Sequence, residues 1–381
     1  MKLLVVVTQY PSKDDLYRSG FVHSRVKKYL EVGLEVEVYV YNNSFNMSSS
    51  YNFEGVDVTC VNAIELKNKI IKNDYDIILV HFAWKKVTNI ILENKNKNMN
   101  VIIWVHGVEA LSWHRRLFNL TFDLYSILSF SNYIIKNTNQ MLFYRNLIRN
   151  HLKNKVHFVF VSNWMKNVTE QDTNCIGEIK NYSIIPNPIN TSVFKYDRKT
   201  KEKRLKIFNL RPYSTKKYAN DITIEVIKQL SNKEYFRNLE FNLYGKGRLF
   251  NKLTKKVKKY DNVNIHKGFY KQKEIKKLHD ENGVILIPTR QDAQGVSMCE
   301  AICSGLVPIS SNNTAIPEFI DSSYGYICDT IEDYIDAIEE IYYNPEVFLT
   351  KSRNTVKLSK RLGREQVEKK ELDLILSHIS D

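Results

Sequence analysis

The segment GVILIPTRQDAQGVSMCEAICSGLVPISS, Gly283 to Ser311, decides the fold class of this chain. It opens with an apolar run, passes through a polar loop that contains one glycine, becomes helical, and ends in a second apolar run after Ser304-Gly305. Two buried strands joined through a helix form the repeating unit of a parallel sheet. The segment therefore predicts a parallel α/β sheet with a loop and a helix N-terminus at its carboxyl edge.

The same alternation of apolar runs and helical patterns extends over most of the 381 residues. The predicted strands are KLLVVVT, EVEVYVY, DIILVHF, NVIIWVHG, HFVFVS and YSIIPNP in the first half, and LKIFNLR, LEFNLYGKG, VNIHKGF, GVILIPT and LVPISS in the second. Amphipathic patterns such as VHSRVKKYLEVG, NDITIEVIKQLS and YKQKEIKKLHDEN separate them. A chain of this length exceeds one ordinary core, so we predict two doubly wound α/β domains that meet at a cleft.

The polar, lysine-rich segment FKYDRKTKEKR, Phe194 to Arg204, is the best candidate for a linker between these domains. We therefore predict an N-terminal domain over residues 1–194 and a C-terminal domain over residues 195–364. The last stretch, about 365–381, is expected to form a helix that packs back on the first domain.

The composition, with 43% hydrophobic and 12% aromatic residues, is that of a globular protein. The sequence contains no run of about 18 apolar residues, so we do not expect a membrane-spanning helix. The N-terminal MKLLVVVTQYP is too short for a signal peptide and lacks its cleavage site. The five cysteines have neither metal-ligand nor disulfide-framework spacing, so we expect reduced thiols and a cytoplasmic location. The net charge of +14 suggests an acidic partner: nucleic acid, an anionic lipid surface or a phosphorylated substrate.

Two loops of the first half carry candidate functional residues at the carboxyl ends of predicted strands. Ser19-Gly20 follows the first strand and precedes a helix, where free amides can meet a phosphate, although a plain helix-entry glycine is the simpler interpretation. His106 follows the fourth strand in WVHGVEALSW, close to Glu109. A histidine at that edge can act as an acid or base or donate to a sugar hydroxyl, and ordinary polar packing is the alternative.

The second half opens with a loop that offers cations. Arg211 stands at a strand end, and Lys216 and Lys217 follow it by five and six residues, just before the next helix. The planar guanidinium of an arginine and the compact ammonium of a lysine can together bind a diphosphate. A solvated basic loop is the simpler alternative. YGKGRLF then places Gly245 and Gly247 between strand and helix, but the chain has neither a GxGxxG fingerprint nor a GxxxxGK[ST] loop.

The loop inside the opening segment completes this pattern. Residues 293–297 can present consecutive amides to a phosphate, with Gly295 allowing close approach. Glu300 lies about one turn into the following helix and can hold a diol such as a ribose, while Asp292 stands at the mouth of the loop. A diol, a diphosphate and further hydroxyls in this order predict a nucleotide sugar as the ligand.

The aromatic segment from Leu111 to Leu152 interrupts the alternation of strands and helices. It forms either one or two helices packed on the first sheet or an interfacial surface that contacts an anionic membrane or an amphiphilic acceptor. The side chains concerned are Trp113, Phe118, Phe122, Tyr125, Phe130 and Tyr133, with Arg115, Arg116, Arg145 and Arg149 as the flanking charges.

Taken together, these motifs resemble the retaining glycosyltransferases of family four, of the "glycosyl transferases group 1" and polysaccharide or capsule type. The family signature is Glu, seven residues, Glu, and this chain has Asp292, seven residues, Glu300 followed by Ala301. NTAIPEFI matches the family's "GxPE" segment, and IPNPINTSVF matches its interdomain "xPNGxDxxxF". The resemblance covers nearly the whole chain and implies the GT-B fold, with two Rossmann-like domains facing each other across a cleft.

The resemblance also implies roles for individual residues, and it implies no metal and no cofactor beside a UDP- or GDP-linked donor. The implied catalytic residues are His106, which lines the reaction centre, and Asp292, which contacts hydroxyls of the transferred sugar. The implied donor-binding residues are Arg211 with Lys216 or Lys217 for the diphosphate, Gly268 and Phe269 for the base, Gly295, Val296 and Ser297 for the distal phosphate, and Glu300 for the ribose. Gly20 and Gly245, in loops that resemble glycine loops of the family, are further implied donor-binding residues.

Several positions depart from the family pattern. The first signature glutamate is Asp292, one methylene shorter, and the glycine that follows it in the family is Ala293. Ser19 replaces one glycine of the first loop. Lys217 stands where the family often has glycine, so either Lys216 or Lys217 can be the lysine that reaches the phosphate.

The resulting expectation is a retaining, metal-independent glycosyltransferase that builds a surface polysaccharide such as capsule or O-antigen. It would move a sugar from a nucleotide-sugar donor to a glycan or lipid-linked acceptor, in the cytoplasm or peripherally on the inner face of the cell membrane. The alternatives are a sugar-nucleotide epimerase of the same fold and a non-catalytic protein that binds nucleotide sugars or nucleic acid. Lysines distributed over many helices and the lack of a stacking-aromatic motif disfavour nucleic acid.

Overall fold

A computed structural model describes residues 1–13, 19–45, 47–121 and 123–378. The chain divides into two compact units. The N-terminal unit comprises Met1–His114, Phe122–Asn187 and Val367–Asp381, and the C-terminal unit comprises Arg115–Thr121 and Pro188–Gln366. The sequence-based boundary lies after residue 194, whereas the division in the structure comes after Asn187.

The N-terminal unit is built on an eight-stranded sheet in the order β3-β4-β2-β1-β5-β6-β7-β8. Its strands are β1 (Lys2–Val7), β2 (Glu35–Tyr41), β3 (Ser49–Phe53), β4 (Val56–Val61), β5 (Ile77–His81), β6 (Asn100–Val105), β7 (Val156–Phe160) and β8 (Tyr182–Ile184). All neighbours pair in parallel except β3 and β4. The apolar runs that predict strands are the buried central strands, as expected for a sheet covered on both faces.

Helices cover this sheet, and the described ones are α1 (Gly20–Glu31), α2 (Ala63–Lys72), α3 (Lys85–Asn94), α4 (Leu124–Arg149) and α5 (Asn163–Thr173). Val22, Val26 and Tyr29 of α1 pack into a core formed by alternate residues of β1 and β5. Each such side chain contributes about 1.5–3 kcal/mol through burial. The core therefore fixes α1 against the sheet.

The C-terminal unit contains a six-stranded, fully parallel sheet in the order β11-β10-β9-β12-β13-β14. Its strands are β9 (Lys206–Leu210), β10 (Glu240–Gly245), β11 (Val263–Lys267), β12 (Val284–Leu286), β13 (Val307–Ser311) and β14 (Tyr326–Cys328). Its helices are α6 (Asn220–Leu230), α7 (Phe250–Thr254), α8 (Gln272–Glu281), α9 (Val296–Cys303), α10 (Ile331–Tyr343), α11 (Pro345–Asn354) and α12 (Val356–Leu362).

Both sheets have the doubly wound arrangement in which strand order reverses at a switch point. The reversal lies between β1 and β5 in the first sheet and between β9 and β12 in the second. In open α/β sheets, ligands bind beyond the carboxyl ends of the strands at such a point. The predicted α/β class with two Rossmann-like sheets is confirmed.

Sequence patterns did not reveal the antiparallel hairpin of β3 and β4 or the short strand β14. The hairpin turns at Glu54 and Gly55, which both have positive φ (47° and 87°). This geometry fits the right-handed twist of two strands joined by a two-residue turn. The only sequence signal for this hairpin was the Glu-Gly pair between two segments of alternating polar and apolar residues. Glu-Gly indicates a hairpin turn less strongly than Asn-Gly or Asp-Gly.

The C-terminal helix α13 (Arg364–Ser377) contacts α1 inside the N-terminal unit. Nε of Arg25 donates to Glu371 at 2.8 Å, and Tyr29 donates its hydroxyl to the same carboxylate. Arg25 and Glu371 are both almost fully buried. Since a buried charge that loses its partner is strongly destabilising, about 3–5 kcal/mol, this pair ties α13 to α1.

The predicted linker segment packs within the C-terminal unit. Lys199 is 3% exposed and donates to the carbonyl of His279 at 2.7 Å. Asp197 and Tyr196 lie against Gly305, where a Cβ would collide with the carbonyl of Asp197. Lysine-rich composition alone therefore does not indicate a loose tether here. None of the helices described is long and apolar enough to cross a membrane.

Candidate functional site

The carboxyl edge of the second sheet carries a buried guanidinium at the switch point. Arg211 directly follows β9 and is 4% exposed. Its Nη1 donates to Oγ of Ser297 at 3.2 Å, its Nη2 lies 3.7 Å from Oδ2 of Asp292, and its guanidinium lies 4.9 Å from the centre of the Tyr218 ring. Nε is buried and finds no hydrogen-bond partner among the residues described. Burial lowers the pKa of Arg211 from its usual value, while Asp292 opposes the shift.

Asp292 organises the loop between β12 and α9. Its Oδ1 accepts the amide of Gly295 at 2.9 Å, and Gly295 adopts the left-handed region with φ of 74° as the residue that precedes α9. A carboxylate that caps an amide three residues later is typical of aspartate. The amide of Gly295, predicted to bind a phosphate, is therefore already engaged by Asp292 in this structure.

The amides that follow remain available. Val296 and Ser297 are the first residues of α9, whose N-terminus has no side-chain cap. The first amides of a helix have no partner within it, and the helix dipole favours an anion there. Arg211 lies beside the same helix turn through its bond to Ser297. A cation and free amides thus meet at one point, which is the chemistry that a phosphate requires.

Glu300 lies one turn further along α9, as predicted, and is partly exposed. Burial raises the pKa of its carboxyl to about 8, because no cation close to it compensates for lost hydration. Such a carboxyl is close to its titration point at neutral pH. It can accept two hydroxyl hydrogen bonds from a diol once it is ionised.

The lysine loop is held by a residue that sequence analysis missed. The amide of Arg290 donates to the carbonyl of Lys217 at 2.9 Å, and its Nη1 donates to the carbonyl of Lys216 at 2.8 Å. The same guanidinium forms a two-pronged pair with Asp221 at 2.8 and 2.6 Å. The only signal for Arg290 in the sequence was its position two residues before Asp292. The predicted strands gave no reason to place it next to Lys216 and Lys217.

The two lysines differ in their surroundings. Lys216 is exposed, whereas the ammonium of Lys217 lies 5.4 Å from the centre of the Tyr218 ring. The guanidinium of Arg211 contacts the same ring, so both cations pack on Tyr218. Either lysine remains a candidate for a phosphate contact.

The glycines of the neighbouring loops have packing roles. A Cβ on Gly245 would overlap the carbonyl of Arg211, and one on Gly247 would overlap the backbone of Tyr213. Both have strongly positive φ, 149° and 145°, so their substitution is strained as well. These glycines allow the loop that carries Arg211 to lie against the end of β10.

The predicted base-side residues continue this surface. The amide of Gly268 donates to the carbonyl of Gly245 at 3.0 Å, which places the loop after β11 beside the loop after β10. Phe269 is 54% exposed, and the ammonium of Lys246 lies 5.3 Å from the centre of its ring. An exposed aromatic face is suited to stacking on a nucleobase.

The carboxyl edge of the first sheet carries a pair of histidines. His106 follows β6, and its Nε2 lies 3.1 Å from Nδ1 of His81 at the end of β5, with the two rings nearly parallel. Phe21 and Phe82 pack on the His106 ring with centroids 4.8 and 4.6 Å away. Sequence analysis missed His81, although both strands end in a Val-His pair.

Protonation of this pair follows from burial. Burial lowers the pKa of His81 and of His106 well below the usual value, and the charge of Arg25 lowers both further, so both rings are neutral at pH 7. Nε2 of His81 is buried and lacks a partner in the described part of the chain. Since an orphaned N–H is rarer than an orphaned acceptor, we assign the shared proton to Nδ1 of His81. His106 then carries its own proton on Nδ1 and can donate it to a ligand.

Gly20 is the first residue of α1, and no atom lies within 4 Å of the position that a Cβ would occupy. Ser19 before it has a left-handed φ of 53°. Packing therefore does not demand a glycine at position 20. Residues 14–18 of this loop lie outside the described part of the chain.

The aromatic segment forms a 3₁₀ stretch, Trp113–Asn119, and the long helix α4. The first half of α4 is exposed, with Leu124 at 74%, Tyr125 at 83% and Leu128 at 62%. None of the described aromatics in the predicted surface is fully buried, and Phe122 lies outside the described residues. Within the described residues, no group of three His, Cys, Asp or Glu side chains is placed to hold a metal ion.

Comparisons with known proteins show similarity in sequence and in fold. Residues 193–361 match the family model of glycosyl transferases group 1, within the unit that carries Arg211 and α9. No curated protein sequence matches the chain.

Solved structures match both units together. Sucrose-phosphate synthase from Thermosynechococcus elongatus has a TM-score of 0.75 at 10% identity, covering 100% of this chain and 99% of that one. Anabaena Alr3699/HepE, solved in complex with UDP, has a TM-score of 0.70 at 11% identity and covers 99% of each chain. The pneumococcal O-GlcNAc transferase GtfA, solved with UDP and GlcNAc, has a TM-score of 0.68 at 11% identity, covering 100% and 99%. The chain has the two-sheet GT-B fold of these neighbours.

Proposed function

We propose that this protein transfers a sugar from a nucleotide-sugar donor to a glycan or lipid-linked acceptor, with retention of configuration and without a required metal. The observation that carries the proposal is the buried guanidinium of Arg211, whose Nε lacks a partner among the described residues, beside the uncapped N-terminus of α9. Glu300 follows one turn later. Cation, amides and carboxyl therefore succeed one another in the order that a diphosphate and a ribose require.

In this proposal, Arg211 and the amides of Val296 and Ser297 hold the donor diphosphate. As the bond between sugar and phosphate breaks, negative charge grows on the departing nucleoside diphosphate. Preorganised donors in a partly buried site stabilise such charge more than water does. Lys217, which packs on the same Tyr218 ring as Arg211, adds a further positive charge.

Glu300 accepts hydrogen bonds from the ribose hydroxyls, and Phe269 stacks on the base. Asp292 positions the loop and the guanidinium, and its contact with the transferred sugar is part of the proposal. His106 donates a hydrogen bond from Nδ1 at the reaction centre. Retention without a protein nucleophile implies attack from the same face, in which the leaving phosphate takes the acceptor proton.

We propose uracil rather than guanine as the base of the donor, because Alr3699/HepE and GtfA were solved with UDP. For the acceptor we propose a growing surface polysaccharide, of the capsule or O-antigen kind, or its lipid-linked precursor. The exposed apolar half of α4 supports a peripheral contact with a membrane or an amphiphilic acceptor. On this proposal the enzyme works at the inner face of the cell membrane.

A thermal-shift screen over UDP- and GDP-linked sugars tests the donor assignment, since a ligand that binds only the folded state raises the melting temperature. We expect one nucleotide sugar to stand out and its effect to disappear in Arg211→Ala. Transfer with the preferred donor, followed by NMR of the anomeric proton in the product, tests retention. A screen without any stabilising nucleotide sugar, or a product with inverted configuration, would contradict the proposal.

A further inference from the structure

The positive charge of this chain is concentrated in two segments. Residues 246–277 contain twelve lysines and arginines against two acidic residues, a net charge of +10. Residues 111–152 contain five basic residues against one acidic residue, a net charge of +4. Because the whole chain has a net charge of +14, all other residues are balanced. The larger excess lies outside the aromatic segment.

We call residues 246–277 of the C-terminal unit the basic edge, because they include its edge strand β11. They run from the loop after β10 through α7 to β11, the outermost strand of its sheet, and on into α8. Their basic side chains are almost all at the surface. Those classed as exposed are Lys246, Arg248, Lys252, Lys255, Lys256, Lys258, Lys259, Lys267, Lys271, Lys273 and Lys277.

Packing does not explain this set of charges. Lys252, Lys255, Lys256 and Lys259 are three or four residues apart in a helical and turn region, where like charges repel. Within the described residues, one basic side chain of the basic edge forms an ion pair, that of Lys276 with Asp280. Self-repulsion that ion pairs within the described residues offset so little favours a partner of opposite charge.

We propose that the basic edge docks the protein on an anionic lipid bilayer. Eleven of the twelve charges are lysines, compact and strongly hydrated, which suit a diffuse anionic surface better than the forked recognition that arginine provides. Phe269 is the one large apolar side chain that is strongly exposed in the described basic edge, whereas single-stranded nucleic acid is usually held by a row of stacking aromatics.

This docking surface is distinct from the apolar half of α4, and it goes beyond the proposed transferase activity. Lipid docking by lysines is electrostatic, with about 1 kcal/mol for each residue near the surface. It should therefore weaken steeply with salt. Insertion of apolar side chains from α4 would depend far less on salt.

The test is co-sedimentation of the full chain with vesicles of phosphatidylcholine alone and with 30% phosphatidylglycerol. The main variant replaces Lys255, Lys256, Lys258 and Lys259 with Gln, four exposed residues outside the candidate site. The matched control replaces the exposed Lys67, Lys72, Lys97 and Lys153 with Gln and changes the net charge equally. A third variant, Leu124→Ser with Leu128→Ser, removes apolar area from α4.

We expect the wild type to bind only the anionic vesicles, the four-lysine variant to bind at least tenfold more weakly, and the control to bind within twofold of the wild type. Doubling the salt should release the wild type. The proposal is overturned if the four-lysine variant binds like the wild type, if only the α4 variant loses binding, or if the wild type binds duplex DNA or RNA but no anionic vesicle. Melting temperatures with the donor, measured in parallel, keep this outcome separate from that of the transferase assignment.

Discussion

The two sheets have the same winding and the same switch point, yet their carboxyl edges differ in charge. The edge of the C-terminal unit carries Arg211, Lys217 and an uncapped helix N-terminus, which together attract an anion. The edge of the N-terminal unit carries His81 and His106, which burial keeps neutral between aromatic rings. One topology thus presents cations and helix amides in one unit and neutral hydrogen-bonding side chains in the other. The residues at the strand ends, rather than the fold, decide the chemistry.

The largest expected effect breaks the charged side of this comparison. Arg211→Ala should weaken UDP binding by about one to two orders of magnitude, because a charged hydrogen bond contributes about 1.5–3 kcal/mol. Transfer should fall by at least the same factor. Calorimetric titration with UDP measures the first effect, and a melting curve shows whether the fold survives. Arg237→Ala removes an exposed arginine of the same unit as a control, and equal loss in both variants would reject a specific phosphate site.

Titration of Glu300 sharpens the charged side. Burial raises the pKa of this carboxyl to about 8, and a diol favours the ionised form, so donor binding must release a proton near pH 7. Affinity for the preferred nucleotide sugar, whose phosphates do not titrate in this range, should fall about five- to tenfold from pH 8 to pH 7. Glu300→Gln should show neither proton release nor this slope. Calorimetry in buffers of different ionisation enthalpy measures the protons, and an unchanged slope in the variant would show that another group is responsible.

The same shift predicts how stability depends on pH. Since the folded pKa lies above the unfolded value, the folded state holds more protons, and the contribution of Glu300 to stability is lost as the pH rises through about 8. Glu300→Gln should therefore gain stability relative to the wild type between about pH 4.5 and pH 8, and not below. Denaturant melts at pH 4 and pH 8.5 give the two differences. A constant difference would contradict the raised pKa.

A smaller effect tests the neutral side. His81→Leu removes the hydrogen bond to His106 and should lower transfer about three- to tenfold while UDP binding stays unchanged. His81→Asn can place an amide N–H where Nδ1 lies and should restore most of the rate. The ¹⁵N shifts of His106 report directly whether its proton moves from Nδ1. If both variants lose rate equally and the tautomer is unchanged, His81 has only a packing role.

The smallest expected effect is none at all. If Arg211, Lys217 and the amides of α9 supply the charge stabilisation, excess EDTA should leave transfer unchanged. The assay compares rates with EDTA, with magnesium and with manganese. Loss of activity with EDTA and recovery with either ion would show that side chains and amides do not suffice.

Much of the fold followed from local patterns. Continuous apolar runs such as KLLVVVT and GVILIPT predict buried parallel strands, and they occupy the centres of the two sheets. The hairpin of β3 and β4 was not predicted, because its half-polar strands and Glu-Gly turn give a weak signal. Strand β14 was not predicted because it is only three residues long. The position of Glu300 one turn into α9 was also predictable from the sequence, because the spacing of residues along a helix is a local property.

The sequence by itself determined the α/β class, the helix that begins after Gly295, and the side chains available at each strand end. Tertiary structure decided which of them meet: Asp292 with the amide of Gly295, Arg211 with Ser297, Arg290 with the lysine loop, and His81 with His106. Most of these partners lie tens of residues apart and become neighbours only through strand order. Burial, which sets the pKa of Glu300 and keeps the histidines neutral, likewise arises when distant segments exclude water. Periodicity is local, whereas contact and desolvation belong to the assembled chain.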